Sequence, residues 1–228
     1  MSTKAQVKTQ TSEAKVFLVD DHPIVRQGLA LLINREADLV VCGEADGGYG
    51  VLQTISDLQP DIVLLDISLN GPDGLEILKS MRMREPNLPV LILSMHDEQT
   101  YAERALRAGA NGYIMKQEAT EKVLIAIRRI LRGEVYLSDR LTNRMLKHFV
   151  RGSVPTAENP LANLSDRELE VFRLIGEGHA TRQIADELHI SIKTVESYQA
   201  HIKEKLALRS ARELVQRAIK WSVSEKGM

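Results

Sequence analysis

The sequence predicts an α/β domain built on a doubly wound, five-stranded parallel sheet, followed by a small all-α domain of four short helices. Three observations predict it. Short apolar runs alternate five times with longer amphipathic segments in the first half. After a stretch rich in Gly, Ser and Pro, the pattern changes to short helices opened by capping residues. The length of 228 residues fits one large domain or two small ones, and the change of pattern favours two.

The apolar runs are Val16 to Val19, Leu39 to Cys42, Ile62 to Leu65, Val90 to Leu93 and Gly112 to Met115. They are β-branched or aliphatic throughout, as expected of strands covered on both faces. Helices are expected between them over Pro23 to Asn34, Gly50 to Leu58, Gly74 to Arg84, Glu98 to Ala108 and Thr120 to Arg132. Pro23 suits a first helical turn. Pro60 and Pro86 stop the helices before them. In such a sheet the ligand site lies beyond the carboxyl ends of the strands.

Polar residues collect at those ends. The first strand ends in Asp20-Asp21, the third in Asp66 and the fourth in Ser94; Lys116 follows the fifth. One carboxylate at a strand end is usually a cap or turn residue. Three carboxylates, a hydroxyl and a lysine at the ends of four strands are harder to dismiss. Clustered acids repel and shift one another's protonation unless a cation joins them. Oxygen ligands with open water positions suit Mg²⁺. A carboxylate beside Mg²⁺ and a lysine can attack a phosphoryl group. The other α/β ligand class, nucleotides, calls for a glycine-rich loop after the first strand, and Asp20-Asp21-His22-Pro23 is not one.

From Lys15 to Gly133 the sequence resembles the receiver domain of two-component response regulators, a flavodoxin-like fold. The resemblance rests on Val19-Asp20-Asp21, Leu65-Asp66, Asp73-Gly74, Leu93-Ser94 and the run Gly109 to Lys116. It implies that Asp66 is the phosphoacceptor. It implies Mg²⁺ ligation by Asp21, Asp66 and the backbone carbonyl of Ser68, with Asp20 acting through water. Ser94 would be the switch hydroxyl, Tyr113 the aromatic that follows it, and Lys116 the phosphate contact. The pattern departs at Asn70, where the family usually has proline; here proline stands at Pro72. Taken alone, Tyr113 reads as a core aromatic and Ser94 carries no signal.

The expected organisation is a disordered leader over 1–14, a receiver over 15–135, a connector over 136–160 with a helix at 138–150, and a helical domain over 161–224. The connector helix would place Leu141, Met145, Leu146 and Phe149 on one side. Residues 151–160 have linker composition. In the helical domain Ser165 to Glu168 forms a capping box. Gly178 ends that helix, a second runs from Thr181 to Leu188, and a tight turn leads to a third capped by Ser191. Ser210 to Glu213 opens the fourth with another capping box. Helix, three-residue turn, helix is the pattern of a helix-turn-helix.

At 100° per residue, Val195, Ile202 and Leu206 share the core-facing side of the third helix. Lys193, Ser197, Ala200 and Glu204 lie opposite, with His201 and Glu196 at the edges. A solvated face would also be polar. Small and hydrogen-bonding residues at the end that enters the major groove favour DNA, and Lys193 and Thr194 sit where a first helical turn meets a phosphate. The segment from Asn163 to Ile219 resembles the LuxR-type helix-turn-helix of the NarL/FixJ regulators. Its marks are Leu164-Ser165, Arg167-Glu168, Glu170-Val171, Ile184-Ala185, Leu188, Ser191, Lys193 to Glu196, and Ile202 with Lys205-Leu206. The resemblance implies DNA contacts from Lys193, Thr194, Glu196, Ser197, Tyr198, Ala200, His201 and Lys205. Tyr198 stands where histidine is common, and Glu196 and Ala200 stand where some members carry lysine.

Charge is divided unevenly. Residues 15–135 carry 13 basic and 18 acidic residues, a net of −5, whereas residues 160–228 carry 11 and 10. The acidic half is a poor nucleic-acid ligand, and charge alone does not establish DNA binding in the other. Cys42 is the sole cysteine, in an apolar run, so a buried thiol and a reducing cytoplasm are expected. No apolar run approaches a membrane span. Together the two resemblances imply a regulator, not an enzyme. They imply that a cognate histidine kinase phosphorylates Asp66, that Ser94 and Tyr113 repack the distal face, and that this frees the DNA-binding domain or favours dimerisation, a homodimer then reading double-stranded DNA through the major groove. The rivals are a Mg²⁺-dependent phosphotransferase with its own substrate and a regulator whose switch is vestigial.

Overall fold

The structure, a computed structural model, describes residues 13–47, 50–69, 73–95, 98–150 and 160–226. The expectations for most of the leader, for Asn70 and Pro72, and for the linker over 151–159 lie outside the described residues. The chain divides into two compact units, with the division between Ser138 and Asp139.

The first unit is a five-stranded parallel sheet in the order β2-β1-β3-β4-β5. Its strands are β1 (Ala14–Val19), β2 (Leu39–Ala45), β3 (Ile62–Asp66), β4 (Val90–Ser94) and β5 (Gly112–Met115). The helices between and after them are α1 (Pro23–Ile33), α2 (Val51–Leu58), α3 (Gly74–Arg84), α4 (Glu98–Arg107) and α5 (Ala119–Leu131). The doubly wound fold expected from the apolar runs is the one observed. β3 and β4 are buried along their whole length, because strands covered by helices on both faces expose no side chain to water. Val16, Leu18, Ile62, Leu64, Leu91 and Leu93 form one core layer with Leu29 and Ile33 of α1 and Val123, Ile127 and Ile130 of α5.

Strand order reverses between β1 and β3, which pair with Val19 opposite Leu65. This is the switch point of the sheet, and the residues that leave it are Asp20 and Asp66. β1 begins at Ala14, earlier than its apolar run, because the Ala14 N–H bonds the Asp38 carbonyl and Ala14 pairs with Leu39.

The second unit contains α6 (Asp139–Val150), α7 (Asp166–Gly176), α8 (Thr181–Glu187), α9 (Ile192–Lys205) and α10 (Ala211–Lys226). The helix expected within the connector is therefore grouped with the helical unit. Leu169, Phe172, Ile184, Val195, Ile202 and Leu214 are buried. Phe172 packs on Trp221 with ring centroids 5.6 Å apart. Ser165 caps α7 as a complete capping box. The box expected at Ser210 forms one of its two bonds: Glu213 N–H reaches Ser210 Oγ at 3.2 Å, but the Glu213 carboxylate accepts from Arg209 N–H instead. Between α8 and α9 the chain turns through His189 at φ 53°, and Ser191 Oγ then accepts from Thr194 N–H at 3.1 Å. Among the described residues no helix is long and apolar enough to cross a membrane.

Candidate functional site

The carboxyl ends of β1, β3 and β5 meet in one buried ionic cluster. Asp66 ends β3 and is 1% exposed. Its Oδ1 accepts from Ser68 N–H at 3.1 Å, and its Oδ2 accepts from Lys116 Nζ at 2.7 Å. The same ammonium lies 2.7 Å from Asp20 Oδ2. Burial pushes the Asp66 carboxyl up to about 6; Lys116 pulls it down, and the Asp20 charge raises it further. Burial would lower Lys116, but Asp66 and Asp20 outweigh it and hold the ammonium above its ordinary range. The lysine stays charged while the Asp66 carboxyl is a weaker acid than is usual for its type.

Asp20, Asp21, His22 and Asp66 each offer one ligand atom, all within 4.8 Å of one another. His22 was not singled out from the sequence. Its Nδ1 lies 2.7 Å from Asp21 Oδ1, and its backbone N–H donates to Asp20 Oδ1 at 2.8 Å. Arg26 of α1 was also missed. It donates to the Asp20 carbonyl at 2.5 Å and to Glu44 at 3.1 Å, tying the end of β1 to α1 and β2.

The Asp73-Gly74 pair acquires a physical reason. Asp73 Oδ1 caps α3 by accepting from Leu75 N–H at 2.8 Å, and Gly74 N–H donates to the Ile67 carbonyl at 2.9 Å. A Cβ at Gly74 would fall on the Asp66 carbonyl oxygen. The start of α3 therefore presses on the loop that follows Asp66, and only glycine leaves room.

Ser94 ends β4 and is fully buried; in the ladder Leu93 pairs with Asp66, and Ser94 with Met115. Tyr113 of β5 pairs with Ile92 and is 1% exposed. The chain leaving α5 returns to β5: Tyr113 N–H donates to the Tyr136 carbonyl at 3.0 Å, and Tyr136 N–H donates to the Asn111 carbonyl at 3.0 Å. Ser138 Oγ donates to Glu98 of α4 at 2.6 Å. Nothing local in the sequence pairs these residues.

On α9, Lys193, Glu196, Ser197, Ala200 and His201 are exposed, and Tyr198 is half-buried. Val195 and Ile202 face the core with no exposure. The Thr194 hydroxyl lies 2.7 Å from Ser191 Oγ, within the cap, and Ser197 Oγ donates back to the Lys193 carbonyl at 3.0 Å. Gln199, not singled out beforehand, reaches Thr181 of α8 at 3.3 Å. Lys205 stands apart from the rest of the expected DNA set: its ammonium rests 2.7 Å from Glu168 of α7. Burial would raise the Glu168 carboxyl, but Lys205 and Ser165 hold it below its ordinary range.

Residues 16–128 match the response regulator receiver domain, and residues 162–218 match the bacterial regulatory proteins of the luxR family. The chain is 37% identical over 215 residues to the oxygen regulatory protein NreC of Staphylococcus aureus (strain JH9), covering 92% of this chain and 99% of that protein. Among solved structures it is similar to RcsB of Salmonella enterica serovar Typhimurium bound to promoter rprA with the phosphomimetic BeF3⁻. That match has 25% identity and a TM-score of 0.58, covering 90% of this chain and 97% of that one. A two-component response regulator of the LuxR family from Aurantimonas sp. SI85-9A1 matches at 34% identity and TM-score 0.56, over 61% of this chain and 99% of its own. Two matched domains in this order, and a relative aligned almost end to end, place the chain in the NarL/FixJ family of response regulators, transcription regulators that join a receiver to a LuxR-type DNA-binding domain.

Proposed function

We propose that Asp66 is the phosphoacceptor of this regulator and that its phosphorylation by a histidine kinase controls DNA binding. The observation that carries the reading is the buried Asp66 carboxylate with the Lys116 ammonium 2.7 Å from Oδ2. An Asp66 oxygen attacks the phosphorus in line with the leaving donor nitrogen, and Lys116 offsets charge on the transferred oxygens. The cluster of carboxylate oxygens at Asp20, Asp21 and Asp66 fits a hard dication. Asp21, Asp66 and the Ser68 carbonyl would hold Mg²⁺, with Asp20 acting through water. Bound there, Mg²⁺ would neutralise phosphoryl charge that the lysine alone leaves uncompensated. Ser94, at the end of β4, and Tyr113, within β5, carry the change outward.

The output is read by α9. Lys193 and Thr194 meet backbone phosphate at its first turn, and Glu196, Ser197, Tyr198, Ala200 and His201 face the major groove. RcsB, a structural relative, has been solved on promoter DNA with a phosphoryl mimic, which supports coupling of the two events here. One such domain offers an interface on the order of 600–1,000 Å², little for stable specific binding. A homodimer formed on phosphorylation supplies the second copy at high effective concentration. The test is solution mass and affinity for a duplex selected by this protein, with and without beryllofluoride and Mg²⁺. Affinity and dimer fraction are expected to rise together. A rise in affinity with a strictly monomeric protein, free and on DNA, would remove the dimer from the mechanism.

A further inference from the structure

The recognition helix α9 is held at both ends by different means. At its start Ser191 caps it, accepting from Thr194 N–H. At its end Lys205 reaches across to α7, placing Nζ 2.7 Å from Glu168 Oε2. That carboxylate oxygen also accepts from Ser165 N–H at 2.6 Å, the return bond of the α7 capping box. Glu168 Oε1 lies 3.8 Å from His201 Nδ1, one turn earlier on α9. One carboxylate thus closes the first turn of α7 and grips the last turn of α9.

Position along the helix decides what Lys205 can do. Lys193 and Lys205 are twelve residues apart, about 18 Å at 1.5 Å per residue. The end of a recognition helix that meets the groove is its start, where Lys193 stands. A lysine contacting phosphate must release its counter-charge first, and Lys205 is already paired with a carboxylate that α7 holds in place through Ser165.

We infer that Lys205 is a positioning residue, which sets the pose of α9 through Glu168 and makes no phosphate contact of its own. The inference removes one cation from the expected DNA surface and adds Glu168, which faces no nucleic acid, to the residues on which binding depends. A shift of a few tenths of an ångström at the Glu168 clamp is carried to the reading end by a rigid 14-residue helix. Base contacts depend on that placement, whereas the number of neutralised phosphates does not.

Counting phosphates therefore separates the two roles. The full chain, with beryllofluoride and Mg²⁺, is titrated onto a fluorescent duplex recovered from a random-sequence pool by the same protein, across a salt series. Glu168→Gln keeps an acceptor for Ser165 N–H, so it removes the ion pair and leaves the cap. Lys205→Met keeps the apolar stem. Each variant is expected to bind about tenfold more weakly, a size typical of coupled contacts. The slope of log affinity against log salt should stay that of the wild type. The double variant should bind no more weakly than the weaker single variant, and Lys205→Arg should bind as the wild type does.

The inference is overturned if Lys205→Met lowers the slope by about one unit, the signature of a lost phosphate contact. It is equally overturned if Glu168→Gln tightens binding by freeing the lysine, or if neither variant changes affinity. Wild-type protein that binds no duplex in a salt-dependent way would overturn the DNA-binding reading as well, a result distinct from any variant effect.

Discussion

The backbone N–H of Tyr113 donates to the carbonyl of Tyr136 at 3.0 Å, so the strand bearing the proposed switch aromatic is bonded to the chain that leaves the first unit. Tyr136 returns a bond to Asn111, Arg129 lies over the Tyr136 ring at 5.5 Å, and Ser138 is held by Glu98 of α4. A change in β5 or α4 must therefore strain or release the segment that begins the connector. Beryllofluoride with Mg²⁺ is expected to alter hydrogen exchange at the Tyr113 and Tyr136 amides together. A change at Tyr113 with Tyr136 untouched would uncouple this segment from the switch.

Asp66→Asn is expected to abolish labelling by acetyl phosphate while leaving the fold intact. Burial raises the Asp66 carboxyl to about 6 from an ordinary value of 3.8. An acid raised by folding is favourable while protonated, so stability is present at low pH and is lost as pH climbs from about 4 through about 6. The asparagine variant escapes that loss. Its melting temperature should equal or exceed that of the wild type above pH 6, by an amount worth up to ~3 kcal/mol at one pKa unit per 1.36 kcal/mol. Mg²⁺ should stabilise the wild type and not the variant. Labelling of Asp66→Asn to the wild-type level would reassign the acceptor.

Gly74→Ala tests the packing behind Asp66. Its Cβ would meet the Asp66 carbonyl oxygen and the Ile67 backbone, neither of which can rotate aside. The loop must shift, at a cost of about 1–3 kcal/mol typical of overpacking. Phosphorylation by acetyl phosphate should slow even where the protein remains folded. Unchanged stability and rate together would mean that the loop yields freely.

Much of the first unit was legible because buried parallel strands read as unbroken apolar runs, and Pro23, Pro60 and Pro86 punctuate the helices between them. The acids at strand ends were legible because a strand end is a sequence position. What stayed hidden was pairing across long separations. Arg26 gives no local sign that it will clasp the Asp20 carbonyl, nor Tyr136 that it will lie along β5. The resemblance placed Lys205 among the DNA contacts, but its partner, Glu168, stands 37 residues earlier and on another helix. Gly74 was visible as part of a motif; its reason, a backbone oxygen where a side chain would begin, exists only in three dimensions.

Lys193→Ala addresses the other end of the recognition helix. Lys193 is exposed in the first turn of α9, away from Val195 and Ile202, and among the described residues no ion pair holds its ammonium as Glu168 holds that of Lys205. Residues 160–228 are nearly neutral, with 11 basic and 10 acidic side chains, so each phosphate contact is a large share of the electrostatic attraction. Neutralising one phosphate fewer should weaken binding to selected and unselected duplexes about equally and lower the salt slope by roughly one unit. Selective loss at one base position with the slope unchanged would turn Lys193 from a phosphate contact into a reader of sequence.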